Sequence, residues 1–264
     1  MSQRILMIGY GAMGREVHRL LPDGVTLDWL VLPEAAQSDT QAELGNTTRV
    51  LTAIDQCSGQ PDLVVECAGH PGLAQHGEAV LQRGWTLAVV SVGALTDNAL
   101  YQRLVDAART GGGRLHILSG AVAGMDGLAS AREGGLTAVT YEARKAPRSW
   151  KGSPAEDLID LATVTEPTVF FEGSAGEAAR RFPANANVAA TVALSGLGME
   201  KTQVKLWVDP HTERNSHRIH AVGRFGEFRV ELNGRPLDNN PKTSMLAALS
   251  VVRACRQLLD PVVI

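Results

Sequence analysis

Through the first half of the chain, short aliphatic and β-branched runs alternate with segments whose apolar residues recur at helical spacing. The runs predict strands at Arg4–Gly9, Val25–Leu32, Arg49–Leu51, Leu63–Cys67, Thr86–Val92 and Arg114–Leu118. The periodic segments predict helices at Ala12–Leu21, which stops before Pro22, and at Leu73–Gln82 and Asn98–Thr110. Strands alternating with helices argue for a parallel sheet with helices on both faces. After Ser119 the pattern changes. Gly120–Leu128 is rich in small residues and opens a helix, and from Thr137 onward the strands become amphipathic. These are expected to be antiparallel, at Thr137–Arg144, Thr168–Phe171, Gln203–Asp209, Arg218–Val222 and Glu227–Leu232. Helical patterns lie between them at Ala155–Leu161, Ser174–Arg181 and Val188–Leu197. A long apolar helix, roughly Ser244–Leu259, closes the chain and is expected to pack back on the first domain.

Composition narrows the function classes. The chain has 264 residues, 44% hydrophobic and 20% charged, with a formal net charge of -3. This near-neutral balance offers no basic surface for nucleic acid or an anionic membrane. No apolar run approaches the ~20 residues needed to span a bilayer. The start, MSQRILMIGYG, lacks the layout of a secretory signal, so a cytoplasmic location is expected. Cys57, Cys67 and Cys255 are far apart and show no metal-ligand spacing. They are expected to be buried, reduced thiols, and no metal is expected.

Gly9-Tyr10-Gly11-Ala12-Met13-Gly14 fits G-x-G-x-x-G and sits between a predicted strand and a predicted helix. In that setting Gly9 permits the tight turn, Gly11 lets backbone approach a pyrophosphate, and Gly14 allows close packing of helix on strand. The uncovered N–H groups of the helix start, at Ala12 and Met13, then face the phosphates. The turn therefore predicts a dinucleotide site in a Rossmann-type, doubly wound α/β domain spanning residues 1–120, completed by 236–264. A second, α+β domain is expected over 121–235. The acid that reads the adenosine ribose belongs at the end of the second strand. Glu34 has the right spacing, although Pro33 precedes it, and Asp28 lies inside the strand. No arginine follows to hold a 2′-phosphate, so both NAD and NADP remain open as the cofactor. The ends of the fourth and fifth strands, Cys67-Ala68-Gly69-His70 and Ser91-Val92-Gly93-Ala94, are small, expected to be flexible, and expected to line the cofactor groove. A loop histidine such as His70 is more often structural than catalytic.

Several longer segments carry a resemblance: VVECAGH (Val64–His70), VVSVGAL (Val89–Leu95), SGAVAGMDGL (Ser119–Leu128), FPANANVAAT (Phe182–Thr191), DPHTERNSH (Asp209–His217) and NPKTS (Asn240–Ser244). With these pieces the chain resembles the L-aspartate dehydrogenases essentially end to end. The resemblance implies a Rossmann domain followed by a substrate domain, a carboxyl-terminal helix that returns to the first domain, and a homodimer. It implies the reversible oxidative deamination of L-aspartate with NAD(P), through iminoaspartate, to oxaloacetate and ammonia, a reaction linked to pyridine nucleotide biosynthesis. It places the catalytic histidine at His217, in Asn215-Ser216-His217, and cofactor contacts at Ala121 and Asn187.

The residues are compatible with that chemistry. Water must attack the imine left by hydride removal, and a group titrating near neutrality can take its proton and later return one to departing ammonia. Among His211, His217 and His220, a structural role is the default for a lone strand histidine, and the resemblance singles out His217. Asn187 precedes the predicted helix and is also suited to be its N-cap, while Asn185 reads as a turn residue. A dicarboxylate needs cations or N–H donors. Lys242, Thr243 and Ser244, at the expected start of the last helix, are candidates, and a plain capped helix explains them equally well. Arg144, Lys145 and Lys151 are further candidates. Two alternatives stand beside this reading. One is a related oxidoreductase of the homoserine dehydrogenase or dihydrodipicolinate reductase kind. The other is a regulator that senses nicotinamide nucleotides without turnover.

Overall fold

The computed structural model describes residues 2–263, apart from the side chains of Ala184, Pro241 and Lys242. The chain divides into two compact units. One comprises Met1–Gly120, Leu237–Thr243 and Ala247–Ile264; the other comprises Ala121–Pro236 and Ser244–Leu246.

Among the described residues the first unit carries a six-stranded sheet. Its elements are β1 (Gln3–Ile8), α1 (Ala12–Arg19), β2 (Val25–Val31), α2 (Glu34–Leu44), β3 (Arg49–Leu51), β4 (Leu63–Glu66), α3 (Gly69–Gln82), β5 (Thr86–Val89), α4 (Asn98–Gly111) and β6 (Arg114–Ile117). The strand order is β3-β2-β1-β4-β5-β6 and every pair is parallel. The order reverses beside β1, and the ligand crevice of such a sheet lies outside the carboxyl ends of the strands at that reversal. The central strands are apolar on both faces because helices cover both: Ile5, Leu6, Met7, Val64, Val65, Leu87 and Ala88 are essentially inaccessible. Helix α3 begins four residues before the predicted Leu73. Pro71 falls in its first turn, where no backbone donor is required.

The second unit, again among the described residues, is built on a five-stranded sheet. Its elements are α5 (Met125–Gly134), β7 (Leu136–Lys145), β8 (Thr168–Ser174), α6 (Ala175–Arg181), α7 (Ala186–Ser195), β9 (Gln203–Val208), β10 (Asn215–Gly223) and β11 (Gly226–Gly234). The order is β11-β10-β7-β9-β8. The expectation of antiparallel strands holds for β10 with β7 and β11 and for β8 with β9. It fails for β7 and β9, which run parallel. One face carries a core of Val139, Tyr141, Val204, Leu206, Val208 and Ile219 with Trp150, Phe171 and Phe182. Helix α6 has a capping box: Ser174 Oγ accepts from Glu177 N, and the Glu177 carboxylate accepts from Ser174 N.

Two short strands, β12 (Pro236–Leu237) and β13 (Asn240–Ser244), pair with each other, and α8 (Met245–Arg256) follows directly. The segment expected to open the last helix is therefore extended. Cys255 is buried, whereas Cys57 and Cys67 are half-buried rather than buried, and all three thiols are free. No described helix is long and apolar enough to cross a membrane.

Candidate active site

In the first unit the glycine turn joins β1 to α1. Gly9 has φ +90°, and a β-carbon there would stand 2.6 Å from Ala68 Cα, so glycine alone fits between the ends of β1 and β4. A β-carbon at Gly14 would stand 2.5 Å from the Gly9 carbonyl oxygen, which fixes how closely α1 approaches the turn. At Gly11 the same addition meets none of the described residues within 4 Å. Gly11 is also the N-cap of α1, and no side chain caps the helix start. Open space over uncapped N–H groups, with Ala12 and Met13 in the first turn, fits the pyrophosphate of a dinucleotide.

The neighbouring strand ends are held by an acid that sequence reasoning passed over. Glu66, the last residue of β4, is fully buried. Its Oε1 accepts from Ala68 N at 2.8 Å, Gly69 N at 2.8 Å and Ser91 Oγ at 2.9 Å, and its Oε2 accepts from Ser91 N at 3.0 Å. Burial still raises its pKa, against the pull of these donors. The two segments expected to be flexible are thus cross-tied. Ser91 to Leu95 are buried, with Val92–Thr96 in a 3-10 turn, and Gly69 and His70 open α3. The available signal was an acid in a strand, LVVE, that is otherwise entirely apolar. Cys67 and Ala68 bridge β4 and α3 beside Gly9. Glu34 is exposed as the first residue of α2, with Pro33 in the N-cap position. Asp28, inside β2, is paired with Arg4 Nε.

In the second unit His217 lies inside β10 and is 8% exposed. It pairs in register with Ala143 of β7. Tyr141 and Lys145 stand two residues to either side of Ala143 and so share its face. Tyr141 Oη lies 2.8 Å from His217 Nδ1, and the two rings stack with centroids 6.0 Å apart and 14° between planes. Lys145 Nζ donates to Asn185 Oδ1 and sits 4.9 Å from the centre of the Trp150 ring. The Trp150 indole in turn donates to the Trp207 carbonyl at 3.0 Å, which holds the ring in place.

The electrostatics of this cluster correct one expectation. His217 does not titrate near neutrality, because burial first and repulsion from Lys145 second bring its pKa down to about 4. Desolvation lowers Lys145 to about 8 and pushes Tyr141 upward. His211 is exposed in the turn before β10, and His220 pairs with Glu227 at 2.7 Å.

Other expected residues fall as follows. Ala121 is half-buried in the turn after Gly120. Asn187 is not an N-cap. It is exposed as the second residue of α7, Asn185 holds the N-cap position, and the Asn187 carbonyl accepts from Thr191 Oγ1 at 2.9 Å. Thr243 and Ser244 end β13 rather than capping a helix. Thr243 Oγ1 accepts from Asn240 Nδ2 at 3.0 Å, and Ser244 Oγ is buried with no hydrogen-bond partner among the described residues. The Lys242 side chain lies outside the described residues. Arg144 points away from this cluster, paired with Asp209 at 3.2 Å, and Lys151 is exposed. Of the three basic candidates around Trp150, Lys145 is the one brought to His217.

Residues 126–258 match the family model described as aspartate dehydrogenase, C-terminal. Residues 9–118 match that of the homoserine dehydrogenase NAD binding domain. The chain is 61% identical over 258 residues to an L-aspartate dehydrogenase of Serratia proteamaculans, covering 98% of both chains. It is 50% identical over 260 residues to an L-aspartate dehydrogenase of Acinetobacter baumannii, covering 98% of this chain and 99% of the relative. Among solved structures, it shares the fold of an aspartate dehydrogenase from Thermotoga maritima at a TM-score of 0.78 and 24% identity, with complete coverage of both chains.

Proposed function

The chain belongs to the aspartate dehydrogenase family, and on that premise we propose that this oxidoreductase converts L-aspartate reversibly to oxaloacetate and ammonia through iminoaspartate. The observation that carries this reading is the cluster at His217. A buried imidazole oriented by Tyr141, with a desolvated amine beside it, suits proton transfer at an imine. The pyridine nucleotide accepts the hydride from the substrate Cα. Its pyrophosphate is assigned to the turn Gly9, Gly11, Ala12, Met13 and Gly14, with Cys67, Ala68, Ala121 and Asn187 as further contacts. Glu34, one residue beyond the extended Pro33, is assigned to the adenosine ribose, and NAD and NADP are both candidates. Thr243 and Ser244, with Lys242, are assigned to the substrate carboxylates; the buried Ser244 hydroxyl, without a partner among the described residues, favours a ligand there. We further propose that the enzyme acts as a homodimer in the cytoplasm and that its iminoaspartate feeds pyridine nucleotide biosynthesis.

The test is direct. Purified protein is mixed with oxaloacetate, ammonium and NADH or NADPH, and nicotinamide absorbance is followed. Oxidation with at least one cofactor is expected; none with either defeats the proposal. His217→Ala is expected to cut turnover roughly 10²- to 10⁴-fold while dinucleotide binding survives. Gly11→Val fills the open space at the helix start and is expected to abolish the fluorescence enhancement of bound NADH.

A further inference from the structure

The hydrogen bond between Tyr141 and His217 fixes where the imidazole keeps its proton. The phenol is 2% exposed, and its hydrogen-bond partner among the described residues is His217 Nδ1. Were Nδ1 protonated, the phenol would have to accept, and its own proton would be stranded in an apolar interior. The satisfied arrangement has Tyr141 donating, Nδ1 accepting, and the His217 proton on Nε2. An Nε2 that already holds a proton can donate to substrate but cannot take a proton from water. The imidazolium is disfavoured for the same reason, since Nδ1 would lose its donor. The base needed at the imine must therefore lie elsewhere on this face.

Lys145 meets that need. It stands on the same face of β7 as Tyr141, two residues along from Ala143, the register partner of His217, with Nζ held by Asn185 and set over Trp150. Its pKa is pulled to about 8, so about a tenth of it is neutral at pH 7, whereas an ordinary lysine has almost none. One of its protons satisfies Asn185, which leaves the nitrogen lone pair for another partner. Among the described residues, Lys145 is the charged group that acts on His217. The two groups repel as cations, so His217 stays neutral and Lys145 alone of the pair gains and loses the proton.

We propose that Lys145 is the catalytic base of imine hydrolysis, that His217 acts as a neutral Nε2–H donor to the reacting substrate, and that Tyr141 is the positioning residue that fixes this tautomer. The proposal rests on the aspartate deamination reading above. Once hydride has left Cα with two electrons for the nicotinamide, water adds to the iminium carbon. A C–O bond forms, the C=N π pair moves onto nitrogen, and one water proton goes to Lys145 Nζ. Lys145 hands that proton to the amine nitrogen. The C–N bond breaks with its pair on nitrogen, and Lys145 takes the hydroxyl proton as C=O forms, then passes it to the released ammonia. The sum is iminium and water giving ketone and ammonium.

The test uses the full-length enzyme oxidising L-aspartate. Lys145→Met is expected to lower steady-state turnover roughly 10²- to 10⁴-fold. It is expected to retain a single-turnover burst of reduced nicotinamide, because hydride transfer precedes the blocked step. The limb of the pH profile near pH 8 should vanish with it. Lys145→Arg, which keeps the charge but has no accessible neutral form, is expected to lose turnover as Lys145→Met does, and it serves if the methionine variant does not fold. Nitrogen-15 NMR of His217 should report the Nε2–H tautomer at pH 7, and Tyr141→Phe should mix the two tautomers. Turnover of Lys145→Met within threefold of wild type, recovery by arginine, loss of the burst, or an Nδ1–H tautomer would each overturn the assignment. A wild-type enzyme inactive on aspartate but binding NADH would instead defeat the underlying reading.

Discussion

A histidine buried as neutral imidazole leaves a mark on stability. His217 titrates at about 4 in the folded protein against the ordinary value of 6.5. Between those values the unfolded chain binds a proton that the folded chain refuses, so stability is full above pH 6.5 and falls as pH drops toward 4. A gap of this size corresponds to about 3 kcal/mol. His217→Gln keeps an acceptor for Tyr141 and removes the titration. It is therefore expected to lose about 3 kcal/mol less than wild type between pH 7 and pH 4, measured by urea unfolding at each pH. Parallel losses would contradict a buried neutral His217. The residue itself was legible in the sequence through its resemblance to a known motif, but its state was not. Tyr141 is 76 positions away and Lys145 is 72, and only the register of β7 against β10 brings them to it. Asn185 likewise read as a turn residue, because its bond to Lys145 crosses between segments that share no local pattern.

Element by element, the sequence was readable where burial imposes a period. Helices α1 and α4 and the strands of the first sheet sit within one to three residues of their predicted limits, since each has one face or both against a core. Helix α2 escaped notice because EAAQSDTQAEL buries only Thr40 and so has no apolar stripe to read. The parallel pairing of β7 with β9 was missed for a different reason. Alternation along a strand is the same whichever way its neighbour runs. Glu66 belongs at this scale because it joins elements: one carboxylate ties the start of α3 to the end of β5. All four of its partners are donors, so Glu66→Gln would turn an amide donor toward an N–H or hydroxyl donor. The mismatch is expected to cost about 1–3 kcal/mol and to lower the thermal midpoint by several degrees. Dinucleotide binding should weaken with it, because Ala68 packs on Gly9. Calorimetry and a cofactor titration on the same variant check both effects, and an unchanged midpoint would remove the cross-tie from the account.

Across the whole molecule, the dinucleotide unit is assembled from both ends of the chain. The backbone leaves it at Gly120, builds the second unit, and returns at Leu237. Helix α8 then contributes Ala247, Ala248, Val251, Ala254 and Cys255 to the buried interior. Cys255 acts on Cys67, beside the carboxyl end of β4, so the helix reaches the strands that carry the proposed cofactor site. Burying a single aliphatic side chain of valine size contributes about 1.5–3 kcal/mol, and net stability is only about 5–15 kcal/mol. Removing residues 247–264 would therefore strip several kcal/mol from the first unit and leave an apolar stripe on it facing water. Such a truncation is expected to melt well below wild type or to aggregate, and to lose NADH fluorescence enhancement although the glycine turn is intact. Circular dichroism melts and NADH titrations of the truncated and complete chains decide it. A truncated chain that binds NADH with wild-type affinity would mean that residues 1–120 hold the site without the returning helix. That outcome is not expected, because α8 contributes fully inaccessible side chains, Ala248, Val251 and Cys255, to this unit.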